Sequence, residues 1–442
     1  MRRMLTGLTL SLASASAMAQ TPPPAAPVAP APSPALTQRA AELLPILNGG
    51  GVLADTLDPA ILTAIPEPQF RAVSTQLADA FGKALAVAGI QPGSATEGVV
   101  TIRYERGTAR FAMTVTPTPP GKIVGLRVVG AGPTAAAETT MDAVVAAIRA
   151  LPGQTGFALA DLGTGEPRLI QSLAPDRPLA LGSAFKLVVL ATLVADVEAG
   201  RRHWDDVVTL DAAERPAGGY NHKPAGTKVP LRELARQMIS VSDNSATDIL
   251  TDTLGRERIE AMQATVGIKD PARNRPWLRT MDLFKLKGVG GGALGTHYLA
   301  ADERGRRALL AGEIARTPGS AIGPLFADGK PVRIGTLEWF ASPADLVRVL
   351  DWLRRHSERG PGADARAILS INPGIAPTIA GRFAYVGYKG GSEPGVLNLT
   401  LLLQTKAGRW RVLTAGWNDP AAAVDEMRLL TLVSRAAELA SD

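Results

Sequence analysis

Apolar residues recur along the first third of the chain with two different periods. Helix-like spacing covers residues 36–47 and 70–87, and strand-like alternation follows in residues 99–104, 109–115 and 123–129. Tight-turn residues separate the three alternating stretches. Helices followed by a three-stranded meander predict a small α+β domain over residues 36–132, with its helices packed on one face of the sheet.

A second pattern begins after residue 133 and runs to residue 442. The stretch 187–197 is apolar nearly all round, which is typical of a helix buried inside a domain. The same reasoning predicts further helices at residues 139–151, 231–239, 246–254, 256–264, 343–355 and 421–440, and strands at residues 156–161, 168–173, 382–389, 396–405 and 410–417. This order predicts a second, larger α+β domain over residues 134–442.

The first 35 residues carry no comparable pattern. Arg2 and Arg3 precede a short apolar run, and Ala17 and Ala19 occupy the small-residue positions of a cleavage site, so residues 1–19 are interpreted as a secretory signal peptide. Residues 20–35 are rich in proline and alanine, which indicates an extended linker. No apolar run reaches the roughly 20 residues that span a bilayer. We therefore expect an exported, periplasmic protein without a membrane span.

Composition narrows the chemistry. The chain has no cysteine, which excludes disulfides, thiol catalysis and cysteine-bound zinc. Its four histidines are scattered, so no histidine-rich metal site is expected. The formal charge of +6 comes from dispersed basic residues and leaves no footprint for nucleic acid. We expect a small-molecule substrate and neither metal nor cofactor.

The first candidate motif is Ser183-Ala184-Phe185-Lys186, which stands directly before the buried helix. Ser183 and Lys186 share one helix face because residues three apart are neighbours. A serine hydroxyl becomes a nucleophile when a base takes its proton, and a lysine can be that base if burial lowers its pKa. Taken alone, the pair also fits a capping serine and a surface lysine.

Two further motifs follow in order. Ser242-Asp243-Asn244 lies between two predicted helices, and Lys389-Gly390-Gly391-Ser392 ends a predicted strand. Ser, Asp and Asn are also ordinary helix caps, and a lysine at a hairpin end is ordinarily solvated. A second hydroxyl at Ser242 could relay a proton, however, and glycines on an edge strand let a substrate approach.

The three motifs together resemble the Ser-x-x-Lys, Ser-Asp-Asn and Lys-Thr-Gly set of serine β-lactamases and penicillin-binding proteins, class A enzymes in particular. The resemblance covers residues 134–442 and implies an antiparallel sheet flanked by helices, with an all-helical subdomain. It implies that Ser183 is the nucleophile, Lys186 its base partner and Ser242 a proton relay. It also implies that Asn244 binds a substrate amide, that Lys389 is an electrostatic anchor, and that the backbone N–H groups of Ser183 and Ser392 form an oxyanion hole. Gly391 and Ser392 would also bind the substrate. Tyr220 would be an aromatic residue at the site rim.

Two departures from the family pattern stand out. Class A enzymes use a loop glutamate to activate the deacylating water, whereas residues 273–280 here contain no acid. Asp282 and Glu338 are the nearby substitutes in sequence. Gly390 replaces the hydroxyl residue of the third motif. An insertion over residues 285–333 carries several glycines, which suggests a mobile flap or a reshaped site wall.

These features favour an exported serine hydrolase that forms an acyl-enzyme on Ser183 with β-lactams or related amides and esters. One alternative is a penicillin-binding D,D-peptidase or an esterase that deacylates slowly. A second alternative is a cell-wall binding protein without catalysis. The small first domain resembles, by architecture alone, the steroid-isomerase-like or cystatin-like modules that precede class A-like domains in a known two-domain group.

Overall fold

The computed structural model describes residues 32–64, 66–117, 121–133 and 138–442. The predicted signal peptide and most of the predicted linker therefore lie outside the described residues. The last two residues of the predicted linker, Pro34 and Ala35, belong to the first helix. Ser33 is the N-cap of that helix, and its hydroxyl accepts a hydrogen bond from Leu36 N at 3.1 Å. No helix within the described ranges is long and apolar enough to cross a membrane.

The N-terminal part consists of helices followed by a sheet. Its elements are α1 (Pro34–Leu47), α2 (Leu53–Thr56), α3 (Pro59–Ala64), α4 (Glu67–Phe81), β1 (Ala84–Pro92), β2 (Glu97–Tyr104), β3 (Gly107–Val115) and β4 (Ile123–Pro133). The strands form one antiparallel sheet in the order β1-β2-β3-β4, which we name the accessory sheet.

The prediction of three strands was wrong, because a fourth strand, β1, precedes them. Residues 84–87 were predicted to end a helix, but α4 stops at Gly82, which adopts φ +81. A Cβ atom at Gly82 would lie 2.8 Å from the Cβ of Glu105, so the chain turns there at a position that suits only glycine. After this turn the backbone is extended and pairs with β2.

The two faces of the accessory sheet differ in burial. Val100 and Ile102 of β2 and Phe111 and Met113 of β3 are buried with residues of α1 and α4 in one apolar cluster. The intervening residues point to the opposite face, since side chains alternate along a strand. We name this opposite side, which carries residues 99, 112 and 127, the outer face.

The remaining chain forms a five-stranded antiparallel sheet with helices on both sides. The strands of this part are β5 (Gln154–Leu162), β6 (Arg168–Leu173), β7 (Leu179–Ala180), β8 (Val207–Thr209), β9 (Lys228–Pro230), β10 (Phe340–Ala341), β11 (Phe383–Glu393), β12 (Val396–Thr405) and β13 (Trp410–Asn418). The five-stranded sheet has the order β11-β12-β13-β5-β6, and the pairs β7-β10 and β8-β9 form two separate two-stranded sheets.

The helices of this part divide between the two sides of the sheet. Apolar residues of α5 and α16 pack on one side, and those of α6 and α13 on the other. The helices are α5 (Met141–Arg149), α6 (Lys186–Glu198), α7 (Leu231–Ser240), α8 (Asn244–Leu254), α9 (Arg256–Thr265), α10 (Thr280–Gly288), α11 (Ala293–Ala300), α12 (Glu303–Leu309), α13 (Pro343–His356), α14 (Asp364–Ser370), α15 (Pro377–Ala380) and α16 (Glu426–Leu439).

The elements predicted after residue 133 are confirmed, with ends that shift by a few residues. Helix α6 is the clearest case, because nearly every residue from Lys186 to Val197 is buried, as its uniformly apolar sequence indicates. The arrangement is the predicted β-lactamase/transpeptidase-like fold of mixed helices and antiparallel sheet.

Candidate active site

Ser183 lies on a short 3-10 turn, Gly182–Phe185, that leads into the buried helix α6. The residue before the turn, Leu181, donates its N–H to the carbonyl of Trp339 at 3.0 Å and so anchors the turn to the chain before β10. Ser183 is half-buried and lines a cleft, whereas Ala184 and Phe185 point into the core. The fold therefore presents one hydroxyl of this turn to the cleft.

Two glycines let strand β11 pass directly against this turn. Gly182 adopts φ +49, and a Cβ atom there would lie 2.8 Å from the backbone nitrogen of Ser392. A Cβ at Gly391 would lie 2.6 Å from the nitrogen of Ala184 and would overlap the nitrogen of Ser183. The turn and the end of β11 are therefore in direct backbone contact, and Ser183 and Ser392, one on each side of this contact, both line the cleft.

The two motif lysines converge on one serine. The Nζ atom of Lys186 lies 3.2 Å from the Oγ atom of Ser242, and the Nζ atom of Lys389 lies 2.9 Å from the same Oγ. Lys186 also donates to the carbonyl oxygen of Ser242 at 2.6 Å and to Oδ1 of Asn244 at 2.7 Å. Lys389 donates to the carbonyl of Gly390 at 2.5 Å. The structure thus brings residues of all three motifs together.

Burial weakens the proton affinity of both lysines, and the charge of Lys186 weakens that of Lys389 further. Burial lowers the pKa of Lys186 to about 7, although Asp248 and then Asp243 act in the opposite direction. Burial also lowers the pKa of Lys389 well below its usual value, and the neighbouring Lys186 adds to that effect. With this pKa, Lys186 exists partly as the neutral amine near neutral pH, which is the form that accepts a proton.

The Ser-Asp-Asn segment serves structure as well as the site. The carboxylate of Asp243 accepts hydrogen bonds from Ala246 N at 2.7 Å and from Ser245 Oγ at 2.6 Å, so it caps helix α8. Ser242, just before it, adopts φ +62, a left-handed conformation that costs a serine of order 1 kcal/mol or more. Ser242 adopts this backbone conformation at the position where its hydroxyl contacts both Lys186 and Lys389.

A buried carboxylate near Lys186 was missed by sequence reasoning. Asp248 lies one helical turn after Asn244 on α8 and accepts hydrogen bonds from the backbone of Thr280 at 2.7 Å and of Met281 at 2.9 Å. Burial raises the pKa of Asp248 to about 7. The four-residue spacing from Asn244 is the signal that could have identified it, because residues four apart share a helix face.

Glu338, one of the two substitute acids, is held in a buried ion-pair cluster. Its carboxylate pairs with Lys287 at 2.9 Å and accepts the backbone N–H of Gly182 at 3.3 Å. Lys287 also pairs with Glu393 at 2.5 Å. The carboxylate of Glu338 therefore stabilises the turn on which Ser183 lies, and its hydrogen bonds are made to Gly182 and Lys287.

Asp282, the other substitute acid, is engaged by two arginines. Its carboxylate lies 3.1 Å from Arg256 and 2.9 Å from Arg279, and its side chain is almost fully buried. Hydrogen bonds and charge attraction from Arg279 and Arg256 hold the pKa of Asp282 below its usual value against the opposing effect of burial. It does not line the cleft.

The expected positions of Tyr220 and of the insertion require correction. Tyr220 is 8 % exposed and packs in the apolar core rather than at the site rim, with its backbone N–H donated to Ser245 Oγ at 3.0 Å. Residues 285–333 were expected to form a flap or a site wall, but they contribute no side chain to the cleft lining. Lys287 anchors the start of this segment in the buried ion-pair cluster, whereas α12 contributes no buried residue and most of residues 299–333 are exposed or half-buried.

One cleft of about 780 Å³ collects most of the predicted site residues, namely Ser183, Ser242, Asn244, Lys389, Gly391 and Ser392. Lys186 lies beneath them with its side chain fully buried. Gly390, which replaces the hydroxyl residue, is also in the lining, and a Cβ there would overlap the hydroxyl of Tyr388. The phenol of Tyr388 therefore occupies space that a side chain at position 390 would fill.

Comparison with known proteins identifies the class. A sequence model of the β-lactamase enzyme family matches residues 137–406, and the chain therefore belongs to that family. Members of this family share a serine hydrolase and penicillin-binding fold, in agreement with the sheet and helices described above. No curated protein matches the chain.

Solved structures with a similar fold are distant in sequence. A β-lactamase from Sphaerobacter thermophilus DSM 20745 is 22% identical, with a TM-score of 0.46, over 68% of this chain and 96% of its own. A β-lactamase from Chitinophaga pinensis DSM 2588 is 16% identical, with a TM-score of 0.45, over 69% and 99%. PBP-A is 15% identical, with a TM-score of 0.44, over 68% and 94%.

The buried ion-pair cluster generates a prediction about stability. Lys287→Met removes the only cation of the Lys287, Glu338 and Glu393 cluster and leaves two buried carboxylates facing each other. We expect the free energy of unfolding at pH 7 to fall by about 3–5 kcal/mol in urea denaturation. The loss should shrink toward pH 5, because burial and then Glu338 raise the pKa of Glu393, and a carboxyl with a raised folded-state pKa favours the folded form only where it binds a proton.

Lys269→Met is the matched control. Lys269 pairs with Asp176 at 2.7 Å on the surface, where both side chains are more than half exposed. We expect that variant to lose less than about 1 kcal/mol. Equal losses for the two variants, or a Lys287→Met loss that does not depend on pH, would contradict the account of the cluster.

The charge of Asp248 generates a prediction about pH. On the interpretation that Lys186 is the base for Ser183, the rate of acylation should rise through pH 7, because Lys186, with a pKa of about 7, gains its neutral form as pH rises. Asp248→Asn removes a carboxylate that raises the pKa of Lys186 and that, with its own pKa of about 7, is ionised mainly above pH 7, so the upper part of the rising limb should move to lower pH. Stopped-flow acylation rates from pH 5 to 9 measure this shift.

Asp252→Asn provides the comparison, since Asp252 lies on the same helix and pairs with Arg279 at the surface at 3.1 Å. Its pH profile should match the wild-type profile. A shift of the Asp248→Asn limb to higher pH, or no shift in either variant, would show that Lys186 is not the titrating base.

Proposed function

We propose that this protein is an exported serine hydrolase that forms an acyl-enzyme on Ser183 with a β-lactam or a related amide or ester. The observation that carries the proposal is the convergence of Lys186 and Lys389 on Ser242 Oγ, at 3.2 and 2.9 Å, beside a serine that opens onto the cleft. Export rests on the signal-like sequence of residues 1–19.

The first step of the proposed reaction is attack on the carbonyl carbon. Neutral Lys186 takes the proton of Ser183 Oγ, and the serine oxygen then bonds to the carbon while the carbonyl oxygen becomes an oxyanion. The backbone N–H groups of Ser183 and Ser392 donate hydrogen bonds to that oxyanion. Donors of this kind are worth about 3–4 kcal/mol each in comparable sites.

The second step is departure of the amine or alkoxide. The C–N or C–O bond breaks as Ser242 Oγ gives its proton to the leaving atom and regains a proton from Lys186, which holds the one taken from Ser183. Lys389, which donates to the same Oγ, stabilises negative charge on Ser242 during this transfer. The product is an ester between the substrate acyl group and Ser183.

Deacylation has weaker support than acylation. Glu338 is tied to Lys287 and Gly182, and Asp282 to Arg256 and Arg279, so both acids lie in structural ion pairs. This favours a long-lived acyl-enzyme, as in a penicillin-binding protein or a slow esterase. A PBP-A mutant with a similar fold has been solved as an acyl-enzyme complex with penicillin G.

Intact-protein mass spectrometry with benzylpenicillin and a cephalosporin tests the proposal. We expect the wild-type protein to gain the full mass of benzylpenicillin, because ring opening releases no leaving group, and to keep that mass over hours. Ser183→Ala should not gain it. Ser370→Ala, an exposed serine on α14, should label at the wild-type rate.

Three results would revise the proposal in different ways. Labelling of Ser183→Ala at the wild-type rate would show that Ser183 is not the nucleophile. An adduct that clears while product accumulates would mean an efficient β-lactamase and would contradict the long-lived intermediate. Absence of any adduct, with small esters also unhydrolysed, would favour the non-catalytic binding protein.

A further inference from the structure

The far wall of the cleft comes from the N-terminal part of the chain. Val99, Ala112 and Arg127 line the same cleft as Ser183 and Lys389. In the accessory sheet, Val99 on β2 pairs with Ala112 on β3, and Ala112 pairs with Arg127 on β4. Directly paired residues of antiparallel strands share one face, so these side chains form a continuous row on the outer face.

Arg127 carries the charge of this row. Its side chain is exposed, and within the described ranges no ion pair or hydrogen bond of its guanidinium is seen. Burial and then the charge of Glu426 raise the pKa of the Tyr388 phenol, and the guanidinium of Arg127 lies close enough to act in the opposite direction. It therefore lies near the end of β11, where Gly390 lacks the hydroxyl group of the family motif.

The surroundings of this position combine apolar side chains with one acid. Met427 and Leu430 of α16 line the cleft between the two parts of the chain. Glu426 precedes them, and burial together with Asp425 raises the pKa of its carboxyl, while a hydrogen bond from Ser392 acts the other way. Arg127 is thus the cation that the accessory sheet adds to a mainly apolar wall.

We propose that the accessory sheet completes the substrate site: Arg127 binds a carboxylate of the substrate, and Val99 and Ala112 contact its apolar part. This inference rests on the proposed function, because it concerns the substrate that Ser183 attacks. It assigns part of the recognition of that substrate to residues that precede the family match at residues 137–406. It also gives the N-terminal part a direct role in binding rather than that of a spacer.

Equilibrium binding to the full chain carrying Ser183→Ala tests this proposal without turnover. Isothermal titration would use benzylpenicillin and its methyl ester, two ligands that differ by the negative charge. Adding Arg127→Gln should weaken binding of benzylpenicillin by about tenfold or more, since hydrogen bonds to charged groups are the strong ones. Binding of the methyl ester should change less than about twofold.

Two further variants separate charge from fold. Arg127→Lys keeps the charge and should restore part of the lost affinity for benzylpenicillin. Arg103→Gln removes another exposed arginine of the same sheet, on β2 and away from the cleft lining, and should leave both affinities unchanged. Ala112→Trp fills the wall and should weaken both ligands alike.

The proposal is overturned if Arg127→Gln weakens both ligands equally, if it weakens neither, or if benzylpenicillin does not bind the Ser183→Ala protein. None of these results depends on covalent labelling of the wild-type protein. The proposed function can therefore stand when this inference fails. Failure of the proposed function would instead appear as a wild-type protein that is not labelled by benzylpenicillin.

Discussion

Two lysine side chains that are buried against a single serine hydroxyl set the chemistry of the rest of the site. Lys186 and Lys389 both donate to Ser242 Oγ, at 3.2 and 2.9 Å. Two ammonium groups that lie so near each other and are shielded from water repel each other strongly. The proton affinity of the pair must therefore fall. Burial makes Lys186 available as a base at neutral pH. A solvated lysine would be protonated at that pH and could not accept a proton.

Much of the surrounding structure serves to hold these groups in place. Gly182 and Gly391 allow strand β11 to press against the turn that carries Ser183. Ser242 adopts a left-handed backbone conformation, and the carboxylate of Glu338 accepts the N–H of Gly182 from the opposite side. Each of these features is costly by itself: a strained serine, a missing side chain, a buried carboxylate. Their concentration around one cleft is typical of a functional site.

The sequence predicted the parts of this arrangement that depend on local patterns. Periodicity located the buried helix α6, and three motifs in their order located the residues that meet in the cleft. Position 82 shows the limit, because its contact with Glu105 comes from a distant part of the chain and ends α4 before β1. Tyr220 is a similar case, since its place in the core depends on packing between helices.

The wall formed by Arg127 could not be predicted for a related reason. Its proximity to the cleft depends on how the accessory sheet lies against α16, and no local pattern encodes that contact. Asp248 is an intermediate case. Its four-residue spacing from Asn244 can be seen in the sequence, but its burial cannot. Sequence patterns thus located the residues that are proposed as catalytic, whereas the burial of Asp248 and the proposed substrate contact of Arg127 emerged only from tertiary packing.

The most direct measurement of the central claim is the pKa of Lys186 itself. Lysine labelled with carbon-13 at Cε reports ammonium titration by NMR, and loss of one resonance in Lys186→Arg assigns the signal. The account predicts a midpoint near pH 7 for that resonance. A midpoint near 10.5, the ordinary value for lysine, would mean that Lys186 stays charged and cannot be the base for Ser183.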